Sequence, residues 1–427
     1  MSLTLPLVDP PAAADAEASD EFRYWQRRIL ISSIVGYALY YLVRKNLSAA
    51  MPVIEEDLGI SKTDLGGFLT AHGLLYGVSK FANGVVGDRV NARWFLLTGL
   101  VICAGCSVLF GFSSSVLAFG TFWAINGWFQ GMGFPPCARL MTHWFSPAQL
   151  ATKMSIWNVS HTIGTIAALV LCGYLAEIDW RLCFFVPAGI VLVGAVYVAV
   201  RLRDTPESLG LPPLEAPAVS KQREPVAESL RRLVFSNRSI WLFSFANFFV
   251  YAVRYGILDW GPTFLKQARG FELTSASWTT AAFELAGMFG MLTSGWITDR
   301  FFGGRGSRTC LFYMILCTLA LLAFWLIPMQ SGATSVALLC IAGFFVYGPQ
   351  CLVGISVANL ATRQAAAAAV GLTGLFGYLS TVLSGWGVGW LVKNYGWDAG
   401  FMTFALCGVG GIFFFLLAWP AKAHGYK

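Results

Sequence analysis

Arg44 and Arg254 each close an uncharged run of fifteen residues, 29–43 and 239–253, and they stand 210 residues apart. A guanidinium near the centre of a membrane-spanning helix costs about 2.5–3.5 kcal/mol on insertion scales. Something must offset that cost twice over. One solution is a structural ion pair with an intramembrane acid, for which Asp259 and Glu284 are the candidates. Another is an anion that visits. A phosphate monoester carries roughly −1.5 to −2 charges near pH 7 and three strong acceptor oxygens. Two guanidinium forks match that charge and that shape, because bidentate arginine contacts are among the strongest hydrogen bonds available. A carboxylate would occupy one fork and leave the other undercompensated.

Further polar residues fall in the same kind of apolar surroundings. Asn158 and His161 are three apart and share a helix face. An imidazole there would be a proton-dependent donor, or else a satisfied packing residue. Lys45 adjoins Arg44. Lys80 either snorkels to an interface or raises the positive potential of a cavity. Tyr37, Tyr41, Tyr251, Tyr347 and Tyr378 are candidates to line that cavity, each with a plain packing role as the alternative.

The elements that must hold these groups follow from composition. The chain has 427 residues, 56% of them hydrophobic and 12% charged, against about 25% charged in a soluble protein. Runs of roughly 20 apolar residues, enough to cross a bilayer, recur twelve times. They cover 27–53, 64–87, 93–113, 115–140, 150–176 and 181–201, then 238–267, 275–298, 309–328, 333–361, 366–392 and 398–420. The expected fold is an all-α membrane protein of twelve transmembrane helices in two six-helix bundles. Residues 1–22 read as a disordered cytoplasmic tail without a signal peptide, 23–201 as the first bundle and 202–237 as a cytoplasmic linker with a short amphipathic helix. Residues 238–420 read as the second bundle and 421–427 as a tail.

Basic residues mark cytoplasmic loops. With both termini inside, twenty of the 29 Lys and Arg lie on inner segments and five on outer ones. The four left over are Arg44, Lys45, Lys80 and Arg254. The net charge of +7 therefore reflects topology, and no clustered basic face suggests nucleic acid. The halves also repeat. Arg28/Arg238, Tyr41/Tyr251, Val43/Val253, Arg44/Arg254 and Pro52/Pro262 share one offset of 210, and Gly87-Asp88-Arg89 returns as Thr298-Asp299-Arg300. Duplicated bundles related by an axis along the membrane normal are a transporter plan with its substrate site at the midplane. Arg44 and Arg254 would then face each other across it. The ten cysteines, including the Cys103/Cys106 pair, read as apolar packing, and no nucleophile–base or metal-ligand constellation suggests an enzyme or a cofactor.

Several longer segments carry a resemblance. YLVRKN at 41–46, SKF…GDR at 79–89, GWFQGMGFPPC at 127–137, WNVSH at 157–161, RDTPESLGLPP at 203–213, RYGILDWGPTFL at 254–265, VYGP at 346–349 and TGLFGYL at 373–379 resemble the organophosphate:phosphate antiporters of the major facilitator superfamily, and most of all their glycerol-3-phosphate-transporting members. The resemblance runs from about Arg23 to Trp419. It implies that Arg44 and Arg254 bind phosphate with His161 as a third contact. It also implies that Lys45, Lys80, Asp259 and Glu284 are supporting charges that trade salt bridges between states. The chain departs from the pattern twice. Phe134 stands where glycerol-phosphate members carry Trp before the Pro-Pro pair. Residues 380–386 lack the Asp and Lys that hexose-phosphate members carry in the eleventh span.

The resemblance implies exchange of an organic phosphate for inorganic phosphate by a monomer in a bacterial inner membrane, with the lipid bilayer as its other partner. The alternatives are a hexose-6-phosphate or phosphoglycerate transporter, or a transporter-like sensor of an external sugar phosphate.

Overall fold

The computed structural model describes residues 19–87, 89–213, 231–327 and 332–421. Among them every regular element is helical. The first half holds α1 (Asp20–Leu42), α2 (Asn46–Leu58), α3 (Lys62–Gly87), α4 (Ala92–Phe112), α5 (Val116–Gln130), α6 (Phe134–Trp144), α7 (Pro147–Ile178) and α8 (Leu182–Arg201). The second holds α9 (Arg238–Arg269), α10 (Leu273–Phe302), α11 (Gly306–Leu326), α12 (Gly332–Leu360), α13 (Thr362–Leu379), α14 (Val388–Tyr395) and α15 (Trp397–Leu417). Three expected spans are each interrupted: α1 and α2 make the first, α5 and α6 the fourth, α13 and α14 the eleventh. The first helix begins at Asp20, capped by the Ser19 side chain, three residues ahead of the expected bundle boundary. The expected amphipathic helix of the linker lies outside the described residues.

Among the described residues eight helices are long and apolar enough to cross a bilayer on that ground alone. The other four spans carry polar groups or a break: Arg44 and Lys45 in the first, Lys80 in the second, the 131–133 break in the fourth, Glu284 in the eighth. Their charges are tolerated because they face protein rather than lipid.

Each break is repaired by side chains, as a membrane interior demands of freed backbone groups. At 43–45 the chain turns through Val43 at φ −101°, ψ 19°. Gln130 Nε2 donates to the Tyr40 carbonyl at 2.9 Å and Asn126 Nδ2 to that of Val43 at 3.4 Å. At 131–133, Ser79 Oγ donates to the Trp128 carbonyl, and α6 restarts with proline in its first turn. Gly131 is required there, since a Cβ would lie 2.2 Å from Ser79 Oγ. At 380–387 the backbone takes a π turn (Val382–Gly387), and Trp260 Nε1 and Thr70 Oγ1 donate to the carbonyls of Ser384 and Thr381.

Thr70 belongs to the other half, so this last repair is also a seam. The halves meet where α7 packs on α10, where α3 packs on α13, the π turn and α14, and where α2 packs on α9. At the α3 seam Gly66 lies against the Gly385 carbonyl, which a Cβ would approach to 2.4 Å. The polar bonds joining the halves gather toward the end formed by loops 59–61, 179–181 and 270–272. Lys266 Nζ meets Glu56 at 2.7 Å, Gln267 donates to Glu55 at 2.9 Å, and Thr274 Oγ1 donates to Glu177 at 2.6 Å. That end is closed.

Candidate functional site

Arg44 sits in the α1–α2 break, and Arg254 sits mid-way along α9. Both are buried, at 7% and 3% exposure. Their surroundings differ. Arg44 lies over the Tyr76 ring at 4.0 Å and the Tyr41 ring at 5.2 Å. Among the described residues no carboxylate lies within ion-pair distance of it. Arg254 lies over Tyr347 at 4.4 Å and Tyr255 at 5.4 Å, and its Nη2 contacts Glu284 Oε1 at 3.1 Å. That pair is single-pronged: Arg254 Nε and Glu284 Oε2 are buried with no hydrogen-bond partner. A desolvated cation–π contact is worth about 0.5–2 kcal/mol. Two such faces roughly offset the insertion cost of Arg44 while leaving its charge unneutralised.

Lys45 and Asp259 form the second buried pair. Lys45 Nζ meets Asp259 Oδ1 at 2.5 Å, and Ser48 Oγ donates to the same oxygen at 3.1 Å. This pair crosses between the halves, whereas Arg254–Glu284 stays within the second. The sequence reading offered Asp259 and Glu284 alike as partners for Arg254. The structure gives it Glu284 and assigns Asp259 to Lys45. Asp259 is five residues beyond Arg254 on α9, about 140° around a helix of 3.6 residues per turn, and so looks elsewhere.

The remaining candidates gather around these cations. Tyr37 and Tyr41 stack edge to face at 5.5 Å, and Tyr41 meets His161 the same way at 5.8 Å. Tyr378 touches Tyr251 at 6.0 Å. Tyr347 carries Arg254. Asn158 contacts Met291 Sδ across the halves at 4.0 Å. Lys80 stands over Phe134 at 4.3 Å, which itself packs on Tyr37 and Trp157.

Two members were not singled out from the sequence. Tyr76 lies under Arg44 and against Tyr378 at 4.9 Å, joining the halves. Tyr255 lies between Lys45, at 5.1 Å, and Arg254. Their signals were position alone: Tyr76 is one turn before Lys80, and Tyr255 directly follows Arg254. Counting Arg44, Lys45, Lys80 and Arg254 against Asp259 and Glu284, the cluster carries a net charge of +2.

Two helical bundles with helices long and apolar enough to cross a bilayer meet around a buried cluster of charges, an arrangement that fits a membrane transporter rather than an enzyme. The sequence profile of the Major Facilitator Superfamily matches residues 33–385, and the chain belongs to that superfamily. It is 40% identical over 421 residues to the glycerol-3-phosphate transporter of Bacillus subtilis (strain 168), covering 95% of each chain. It is 37% identical to the membrane sensor protein UhpC of Salmonella typhimurium, covering 95% of this chain and 94% of that one. Its fold matches the inward-facing, occupied structure of a bacterial homologue of the human lysosomal transporter Spinster. That match has a TM-score of 0.77 at 16% identity and covers 95% and 98% of the two chains.

Proposed function

We propose that this chain exchanges an organic phosphate ester, of the glycerol-3-phosphate type, for inorganic phosphate by alternating access. The observation that carries the reading is the buried Arg44 guanidinium, with no carboxylate in ion-pair reach among the described residues, near a singly paired Arg254, in a cluster of net charge +2. A phosphate dianion complements that cluster. Arg44 offers it a whole fork, and Arg254 offers the donors that Glu284 leaves. His161, Tyr41, Asn158, Lys80, Tyr37, Tyr251, Tyr347 and Tyr378 complete the binding wall. The name of the 40%-identical relative supports the choice of ester.

The cycle follows from electrostatics. With the cleft empty, two like charges resist being brought together in a drying space. A bound phosphate group neutralises them and bridges the walls, so the bundles 23–201 and 238–420 close around it and reopen on the other side. Inorganic phosphate drives one direction and the organic phosphate the other. With both termini cytoplasmic in a bacterial inner membrane, as the distribution of Lys and Arg supports, the closed seam at Glu56–Lys266 faces outward.

The test is counterflow. Proteoliposomes preloaded with phosphate are challenged with glycerol-3-phosphate, glucose-6-phosphate and 3-phosphoglycerate. The expected outcome is phosphate-dependent uptake of glycerol-3-phosphate, fastest of the three. Faster glucose-6-phosphate uptake would transfer the reading to a hexose phosphate, which the uncharged stretch 380–386 disfavours. A relative named as a sensor at 37% identity supports a second reading, reception of a sugar phosphate. Saturable binding without flux in the same vesicles would select it.

A further inference from the structure

We propose that the second bundle holds a separate binding site for a phosphate group at the N-terminus of α11, away from the cleft between the bundles. A cavity of about 160 Å³ opens there, lined by Asp299, Arg305, Gly306, Ser307, Ser356 and Asn359 among others. Its volume is comparable to the roughly 150 Å³ cavity that admits benzene, so a phosphoryl group fits. The first amides of a helix have no intrahelical acceptor and carry the positive end of its dipole. Here those amides belong to Gly306 and Ser307, with the half-exposed Arg305 just before them.

A second observation points to a ligand. Ser307 is 1% exposed, lines the cavity, and its Oγ has no hydrogen-bond partner. A buried hydroxyl without a partner costs about 1–3 kcal/mol. Its neighbour Thr298, by contrast, bonds to Thr309 and Ser294.

The internal repeat shows what such a place is for. In the first bundle the corresponding helix is α4. There Asp204, from the segment after α8, accepts from the Ala92 amide at 2.8 Å and from Arg139 at 3.2 Å, and Trp144 Nε1 donates to its carbonyl oxygen. That bundle supplies its own anion to the helix start. In the second bundle the described residues after α15, 418–421, reach the cavity at Ala421 and bring no carboxylate to the start of α11. A visiting phosphate group would take the place that Asp204 holds in the first bundle. Asp299, exposed on the lip, balances one positive charge, which favours a singly charged phosphate group over a dianion.

Two sources supply that chemistry: free inorganic phosphate as its monoanion, and the phosphodiester of a lipid headgroup. Thermal unfolding of the full chain separates them, in an Arg44→Gln background that disables the cleft. In one arm the detergent-purified, delipidated protein is titrated with inorganic phosphate. In the other, phosphatidylcholine nanodiscs are compared with and without phosphatidylglycerol, free of added phosphate. A rise in melting temperature in either arm, weakened at least about tenfold in apparent affinity by Arg305→Gln and less by Ser307→Ala, supports the site and identifies its source. No rise in either arm overturns it, and so does a rise that Arg305→Gln leaves untouched. Counterflow reports on the cleft alone, so the two proposals fail separately.

Discussion

The two bundles place an arginine at equivalent positions and treat it differently. Arg44 is packed between two tyrosine faces with no acid beside it among the described residues, while Arg254 shares its own bundle with Glu284. The partners of the neighbouring charges differ too, since Lys45 reaches across to Asp259. On the proposed function, one bundle offers a guest an open charge and the other a charge with a built-in counterion. A phosphate dianion would meet Arg44 at full strength and compete with Glu284 for Arg254, which would let it bind and still leave.

Removing the counterion breaks the comparison most severely. Glu284→Gln leaves Arg254 buried and unpaired, which costs about 3–5 kcal/mol. The expected result is a large fall in melting temperature of the ligand-free protein. Phosphate should then recover more stability in the variant than in the wild type, because a ligand that binds only the folded state adds about 2.7 kcal/mol at a hundredfold excess over Kd. An unchanged melting temperature would show that Glu284 is not what neutralises Arg254.

Replacing the forks themselves comes next. Arg44→Lys and Arg254→Lys keep charge and lose planar bidentate geometry. Loss of one charge-assisted bond is worth about 1.5–3 kcal/mol, or about 10- to 150-fold in phosphate exchange. Arg44→Lys should be the worse of the two, since Arg44 gives the guest its whole fork. Near-normal exchange by either variant in vesicles would remove the basis for a two-arginine site.

How much of this was legible in the sequence depends on range. The twelve spans and the misplaced charges could be read because apolar runs are local, and a cation inside one is conspicuous. The breaks could not be located, although FQGMGFPP carried glycines and prolines. A break at 43–45 depends on Gln130 and Asn126 reaching over to the carbonyls of Tyr40 and Val43, and no local pattern announces that. Partner choice was equally hidden. Asp259 is near Arg254 in sequence yet bonds to Lys45, 214 residues away. Tyr76 and Tyr255 looked like ordinary aromatic residues in apolar helices until the fold set cations on their rings.

The crossed pair offers a subtler test of the asymmetry. Asp259→Asn alone strands a buried Lys45, whereas replacing both partners by Lys45→Met and Asp259→Leu removes two charges at once. Replacement of a buried pair by apolar residues is often neutral or stabilising. The double variant should therefore be more stable than the sum of the single changes predicts, with a coupling of about 1–3 kcal/mol in a thermal-unfolding cycle. It should also lose exchange, because the charge balance of the cleft changes. Simple additivity would mean that the contact contributes nothing when the bundles meet.

The smallest effect belongs at the closed end, and its smallness is the point. Lys266 and Glu56 also join the bundles, but their side chains are 26% and 54% exposed, against 6% and 11% for Lys45 and Asp259. Exposed pairs are worth about 0.2–1 kcal/mol. On the proposed cycle, opening this end breaks the pair each time, so a strong bond there would trap one state. Lys266→Ala should therefore shift the open population by no more than about fivefold, seen as a changed distance distribution between spin labels placed on the two bundles at that end. The shift should vanish near 1 M salt, where the screening length falls to about 3 Å. A larger shift, or one indifferent to salt, would move the barrier from the buried cleft to the outer seam.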